Sequence, residues 1–240
     1  MLLNVDAKYL DWLCAVWLAQ DEVGMEEIRN GIDLHTDNQR AFGLPSRLIA
    51  KIFLFRIIFG GTAYSFSKDS DFASCKLSTK GWESVIDKFY RKYKGIKKWH
   101  EELIREATTT GYLSIPTGRS WHFVMQRNWK GELEWPITCI KNYPVQGLEA
   151  DMMTLARVSL YNRIKQYEDV LLINSVHDSI LIDAPESRKD MVVDIIRSVF
   201  KDVPANFRKL FGVDFLLPFR GEISIGLDWK NMEELKGECG

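Results

Sequence analysis

The chain opens on an apolar run, Leu2-Leu3-Asn4-Val5, that stops at Asp6 and gives way to a helical recurrence of Tyr9, Leu10, Leu13, Val16 and Trp17. That order predicts a buried strand, a carboxylate at its exit, and a helix. Residues 31–43, with Gly, Asp, Thr and Asn, predict a loop entering a short helix. Ser46, after Leu44-Pro45, is a suitable N-cap for a helix from 47 to about 59, stopped by Gly60-Gly61. Amphipathic stretches at 79–94 and 96–110 predict two helices parted at Gly95, and the alternation over 111–124 predicts a hairpin or irregular sheet. After Pro144 a helix fits 148–166. The run VLLINSVHDSILID then predicts two strands, 170–176 and 180–182, with His177-Asp178-Ser179 at the bend. A helix over 186–202 and a strand near 222–225 follow. Helices outnumber strands and the strands gather towards the two ends, so the fold class is α+β with a long, mostly helical insertion.

Composition narrows the class. Hydrophobic residues make up 46% and charged ones 27% of 240, with sixteen Gly and seven Pro, which excludes disordered, collagenous and low-complexity chains. Cys14, Cys75, Cys139 and Cys239 show no C-x-x-C or paired spacing, so neither a zinc knuckle nor a disulfide framework is expected. The net charge of −1 hides local asymmetry. Residues 38–67 hold Arg40, Arg47, Lys51 and Arg56 with no acid, and residues 88–98 hold six more cations with none. No apolar run is long enough to cross a bilayer and no export signal is evident, so no membrane partner and a cytoplasmic location, a host's if viral, are expected. A start directly on a core strand at Met1 is expected of a truncated or split fold.

Two acids stand out by position, Asp6 at the exit of the first strand and Asp178 in the late bend. If the strands pair, the carboxylates converge at one edge, where hard oxygen ligands suit Mg²⁺ together with substrate phosphates, or two ions for an in-line displacement. The plainer reading is a turn former or helix N-cap, and Asp6 does precede a helix. Arg47, Lys51 and Phe55 recur every four residues and form one slowly drifting stripe. Two cations suit a triphosphate, and a flat ring suits a base or sugar. A solvated basic face with Phe55 in the core is the alternative.

Four stretches, NVDAKYLDW, the Arg-x3-Lys-x3-Phe-x3-Phe-Gly pattern of residues 47–60, NYPVQGLEADMM and SVHDS, occur in the order of the signature motifs of family A DNA polymerases. The resemblance spans essentially the whole chain, and the tract KIFLFRIIFGGTAYSFSKDSDF looks closest to bacteriophage polymerases. It implies a palm, a small antiparallel sheet with helices, from residues 1–22 and 168–240, and a mostly helical fingers insertion from 23–167, with thumb and exonuclease domains absent. It also implies that Asp6 and Asp178, with the Ala7 carbonyl, hold two Mg²⁺ ions, for which Mn²⁺ can substitute, and form the catalytic centre with Lys51. Arg47 and Lys51 would grip the incoming dNTP, with His35 on its phosphates, Phe55 near its sugar and base, Asp11 beside the sugar, and Phe59 at the pivot of the fingers helix. Asn142, Gln146 and Arg119 would touch the primer–template DNA and His177 the primer terminus. A separate chain supplying the thumb and upstream palm is the further partner expected.

The sequence departs from the family pattern at three places. Asp11 stands for a usual Glu that blocks a ribose 2′-hydroxyl, Phe59 for a usual Tyr, and Ser179 for the common Glu after the second catalytic aspartate. The expected function is template-directed DNA synthesis, with nucleotidyl transfer from dNTP to a primer 3′-hydroxyl by two metals. A catalytically silent nucleic-acid-binding or assembly subunit that keeps the fold is the alternative. A metal-dependent nuclease would leave the nucleotide-gripping helix without a purpose.

Overall fold

The computed structural model describes residues 1–237 and 239. In chain order the elements are β1 (Leu2–Ala7), α1 (Leu10–Ala19), α2 (Glu22–Arg29), α3 (Leu34–Phe42), α4 (Arg47–Ile58), α5 (Ala63–Lys68), a 3₁₀ turn (Ser70–Cys75), α6 (Thr79–Lys92) and α7 (Lys94–Thr110). Then come two short hairpins, β2–β3 (Tyr112–Ser114, Ser120–His122) and β4–β5 (Gln126–Arg127, Leu133–Glu134), followed by α8 (Ile137–Ile164). β6 (Leu171–Val176), β7 (Ser179–Asp183), α9 (Lys189–Phe211), β8 (Gly221–Gly226) and β9 (Glu233–Glu234) complete the order. The α+β expectation holds. Among the described residues no helix is long and apolar enough to cross a membrane, and all four cysteines are thiols.

The chain forms two compact units, Met1–Leu10 with the chain from Leu148 onward, and Asp11–Gly147. The divisions fall within α1 and α8.

The first unit is built on a five-stranded antiparallel sheet ordered β6-β7-β1-β8-β9, with β1 at its centre. On β1 the side chains of Leu3, Val5 and Ala7 are buried and Asp6 is exposed, the period-two alternation of a strand with one covered face. Val5 lies opposite Ile180 and Ile223, and Leu3 opposite Ile182 and Ile225, so one face of three strands is a continuous apolar layer. Helix α9 buries Val192, Ile196, Val199, Phe200, Val203 and Phe207 along one stripe. Gly221 lets this helix approach, since a Cβ there would stand 2.6 Å from the Phe200 ring.

The second unit is held by aromatic rings. Phe53, on the buried side of α4, lies 5.8 Å from Phe42, 5.3 Å from Phe66, 5.8 Å from Trp82 and 6.0 Å from Phe89 between ring centroids. One helix is thereby packed on α3, α5 and α6 at once, mostly in tilted and edge-on pairs that suit the ring quadrupoles. A buried polar knot supports α3. Lys92 Nζ reaches Glu27 at 2.7 Å, Asp37 at 2.6 Å and Asn38 at 2.7 Å, and the Tyr93 hydroxyl bonds Glu27 and Asn38. A second apolar cluster joins Leu103 and Ala107 of α7, Leu113, Phe123 and Ile140 of α8.

Several boundaries differ from the sequence expectation. The break between α6 and α7 is at Tyr93, not Gly95, because the Gly95 and Ile96 N–H groups donate to the buried Asp21 carboxylate at 2.7 and 3.1 Å and so open α7 two residues early. Helix α8 begins at Ile137 and carries Pro144 inside it. The proline removes one intrahelical hydrogen bond, but burial of Ile140, Val145 and Leu148 carries the helix through. The same holds at Pro204, where burial of Phe200, Val203 and Phe207 extends α9 well past 202. The hairpin β4–β5 was not expected from the pattern.

Phe53→Ala should cost about 3–5 kcal/mol of stability, as for other buried rings removed from a packed cluster. Urea unfolding followed by far-UV circular dichroism measures this, and a loss below about 1 kcal/mol, the average for any substitution, would show that the cluster repacks without this ring.

Candidate functional site

In the first unit Asp6 and Asp178 lie close together along the backbone at one end of the β1–β7 pair. Asp6 lies opposite Ser179 of β7, and the Ala7 N–H donates to the Asp178 carbonyl at 2.8 Å. Asp178 is therefore within one residue of the position directly across from Asp6. β6 and β7 are joined by a two-residue turn, His177-Asp178, with Val176 paired to Ser179. His177 takes φ +51°, a left-handed conformation that costs a non-glycine residue roughly 1–2 kcal/mol. Tyr9, three residues past Asp6, does the same at φ +55°. Positive-φ backbone thus lies next to Asp178 and three residues past Asp6.

Asp6 is exposed and Asp178 half-buried. Among the described residues no group of three or more His, Cys, Asp or Glu could hold a metal ion, and the candidate donors expected here are the Asp6 and Asp178 carboxylates and backbone oxygen. That set fits Mg²⁺, which binds through one or two carboxylates and keeps further positions for water and phosphate. It does not fit a closed structural zinc site.

Reading motifs missed a third acid. Glu222 on β8 lies directly opposite Asp6 on the other flank of β1, and its carboxylate is 3.0 Å from Lys8 Nζ. The alternation of Ile223 and Ile225 assigns 222 to the solvent face, but nothing in the sequence says which residue faces it across the sheet.

In the second unit α4 sorts its residues by face. Ile49, Ala50, Phe53, Leu54, Ile57 and Ile58 are buried, whereas Arg47 and Lys51 are exposed and Phe55 and Phe59 half-buried. The stripe therefore lies outside the core, and the alternative that Phe55 is a core ring is excluded. Ser46 caps the helix, its hydroxyl accepting from the Ile49 N–H at 3.2 Å. Lys51 Nζ stands 5.8 Å from the Phe55 ring centroid. Beyond them Phe55, Arg56, Phe59, Gly60, Thr62 and Thr138 border a cleft of about 460 Å³.

Asp33 caps α3, bonding the Thr36 N–H, and accepts from Arg47 Nε at 3.2 and 3.0 Å through both oxygens. The guanidinium holds the Asp33 carboxyl well below the usual carboxylate range. His35, one turn into α3, is 2% exposed and 6.2 Å from the Phe55 ring. Burial first, then Arg47 and Lys51, depress its pKa to about 4, so it is a neutral imidazole at neutral pH. Asp11 is half-buried in the first turn of α1.

Asn142 and Gln146 lie four residues apart on α8, with Gln146 exposed and Asn142 half-buried. Gly147 admits the β2–β3 hairpin, because a Cβ there would stand 2.5 Å from Trp121 and 2.7 Å from Arg119. The exposed Arg119 is thus brought onto the same stretch of α8.

The sequence model of DNA polymerase family A matches residues 1–231 of this chain. The chain is 24% identical to the thermostable DNA polymerase I of Thermus aquaticus, over 98% of its own length and 27% of the relative's. It is 31% identical to DNA polymerase I A, chloroplastic/mitochondrial, of Arabidopsis thaliana, over 72% of this chain and 16% of that one. Its fold matches the POL domain of Pol1 from M. smegmatis, a complex with DNA primer-template and dNTP, with a TM-score of 0.78 at 20% identity, over 95% of this chain and 40% of that one. The chain spans about a quarter of the length of the Thermus relative.

The depressed pKa of His35 makes stability pH-dependent. The unfolded chain takes up the imidazole proton near pH 6.5 and the folded chain only near 4, so stability should fall as the pH drops through that interval. His100, held near 3 by burial and Lys141, acts in the same direction. Urea midpoints between pH 7 and 4.5 should therefore decline, less steeply in His35→Asn. An unchanged slope in that variant would show that His35 titrates normally.

Proposed function

The chain belongs to DNA polymerase family A, and from that premise we propose that it carries out template-directed DNA synthesis, transferring a nucleotide from dNTP to a primer 3′-hydroxyl. The observation that supports this most is the backbone adjacency of Asp6, near the end of β1, and Asp178, in the turn before its partner β7, two acids 172 positions apart. In this reading the unit with the five-stranded sheet serves as the palm and the ring-packed unit as the fingers. The proposal also carries a further expected partner, a polypeptide supplying a thumb and further palm strands.

Asp6, Asp178 and the Ala7 carbonyl would hold two Mg²⁺ ions, or Mn²⁺ in their place. When bound, such ions neutralise phosphate charge and acidify a hydroxyl. The remaining work is positioning and electrostatics, which is most of what phosphoryl transfer asks of a protein. Lys51 presents a point charge to the triphosphate and Arg47 a planar fork. His35, neutral, donates a hydrogen bond without adding a charge. Phe55 offers a ring face at the end of the cationic stripe, and Phe59 borders the cleft where α4 ends. Asn142, Gln146 and Arg119 face the duplex, where minor-groove acceptors common to all correct pairs allow shape to be checked without reading sequence. His177, in the turn between β6 and β7, serves the primer end in this reading. Asp11, shorter than the Glu it replaces, guards the sugar less closely.

A primer-extension assay with Mg²⁺, run with and without the upstream polypeptide, tests the reading. Asp6→Asn and Asp178→Asn should lower extension by at least about 10³-fold, beyond the loss of any single hydrogen-bond donor, with the urea midpoint unchanged. Wild-type extension by either variant removes the catalytic assignment, and no extension by the unsubstituted chain under either condition favours the silent subunit.

Lys51→Ala should lower kcat/KM for dNTP by about 10- to 100-fold, roughly 1.4–2.7 kcal/mol of transition-state stabilisation. Unchanged nucleotide kinetics would take Lys51 out of the triphosphate site.

A further inference from the structure

Between the β2–β3 hairpin and α8 the chain builds the short hairpin β4–β5, whose tip is Asn128, Trp129, Lys130 and Gly131. This tip is braced far beyond what two residue pairs provide. The Asn128 N–H donates to the Glu132 carbonyl at 2.8 Å, and the Gly131 N–H to the Asn128 carbonyl at 2.9 Å. Gly131 turns the chain at φ +83°. The Asn128 side chain accepts from the Lys130 and Glu132 N–H groups at 2.9 and 3.0 Å, and donates to the Glu132 and Glu134 carboxylates at 3.2 and 3.1 Å. Arg127 closes the turn by donating to the Gly131 carbonyl at 2.6 Å.

What this platform presents is Trp129, 90% exposed. A large aromatic ring is ordinarily among the more buried side chains, and at this exposure Trp129 contributes almost nothing to the core. Lys130 holds its ammonium 5.1 Å from the indole centroid, and Arg127 is exposed beside it. Residues 111–131 contain Arg119, Arg127 and Lys130 and no acid. The two acids that follow, Glu132 and Glu134, accept from the Asn128 amide.

We propose that the Trp129 hairpin is a stacking site for single-stranded template, the indole taking the face of an unpaired base while Arg127 and Lys130 take its flanking phosphates. A rigid ring flanked by cations is how single-stranded nucleic acid is bound with little sequence preference. Cations at the tip favour this polyanion over an apolar protein partner. The inference rests on the DNA-synthesis reading and adds to it a strand and a contact.

The test uses the full chain and fluorescence anisotropy with a labelled 12-residue oligothymidylate, and with primer–templates carrying either a 12-nucleotide or a one-nucleotide 5′ overhang. Trp129→Ala should weaken binding of the oligonucleotide and of the long overhang by about 5- to 100-fold, the range measured for one lost base stack. Between the two primer–templates the loss should be confined to the long overhang, and Trp129→Phe should restore most of it. Arg127→Ala with Lys130→Ala should reduce the slope of log K against log salt by about 1.4, two phosphates on a single strand. Equal affinity of Trp129→Ala and the unsubstituted chain, equal losses on both overhangs, or a loss only in capture of the upstream polypeptide would each overturn the proposal. Asp6→Asn separates the two readings. With stacking intact and extension lost both stand, whereas normal extension by Asp6→Asn with a clear Trp129 effect sinks only the catalytic assignment.

Discussion

The register of β1 against β7 is the constraint on which everything at the carboxylate edge depends. Leu3, Val5 and Ala7 point into the core from the central strand, opposite Ile180 and Ile182, so Asp6 faces solvent. A slip of one residue would drive the carboxylate into the apolar layer and expose three hydrophobic side chains. Ladders on both sides of β1 oppose such a slip, as does the two-residue turn that starts β7 at a fixed point. The unfavourable backbone at His177 is tolerated because these pairings over-determine it.

A different physical device governs the cationic stripe. Helix α4 has no acid to complement its first turn and is apolar over most of its circumference, so its orientation comes from packing. Phe53 locks one side among four rings, and the opposite side is left to Arg47, Lys51 and Phe55. Aromatic pairs carry directional preferences in addition to area, which suits them to fixing a helix in rotation as well as in depth. The Lys92–Glu27–Asp37 knot then sets α3, and with it Asp33 and His35, at the head of the stripe.

Much of this was legible in the chain. Strand then aspartate then helix at residues 2–17, the Ser46 cap, the face of α4 and the His177-Asp178 bend all follow from periodicity and local side-chain chemistry, which act over a few residues. The misreadings share a cause. Pro144 and Pro204 look like boundaries because intrinsic preference opposes them, and only burial within the folded unit shows them to lie inside helices. Gly95 looks like a breaker until Asp21, distant in sequence, is seen to accept from its N–H. Glu222 could be assigned to an outward face but not to a neighbour, since strand pairing is a long-range fact. The β4–β5 hairpin escaped notice because its order derives from the Asn128 amide and not from alternating apolar residues.

If Arg47 grips the triphosphate as proposed, its pairing with Asp33 decides how that anion enters. The guanidinium is already matched to a resident carboxylate that mimics, with one charge, what a polyphosphate offers with several. Occupation is then an exchange of anions rather than the filling of a vacant cation. The free-energy gain is the difference between the two partners, which penalises weakly charged competitors and lets the released carboxylate remain as the cap of α3. In that reading, selectivity for highly charged ligands is set by a residue that need never touch them.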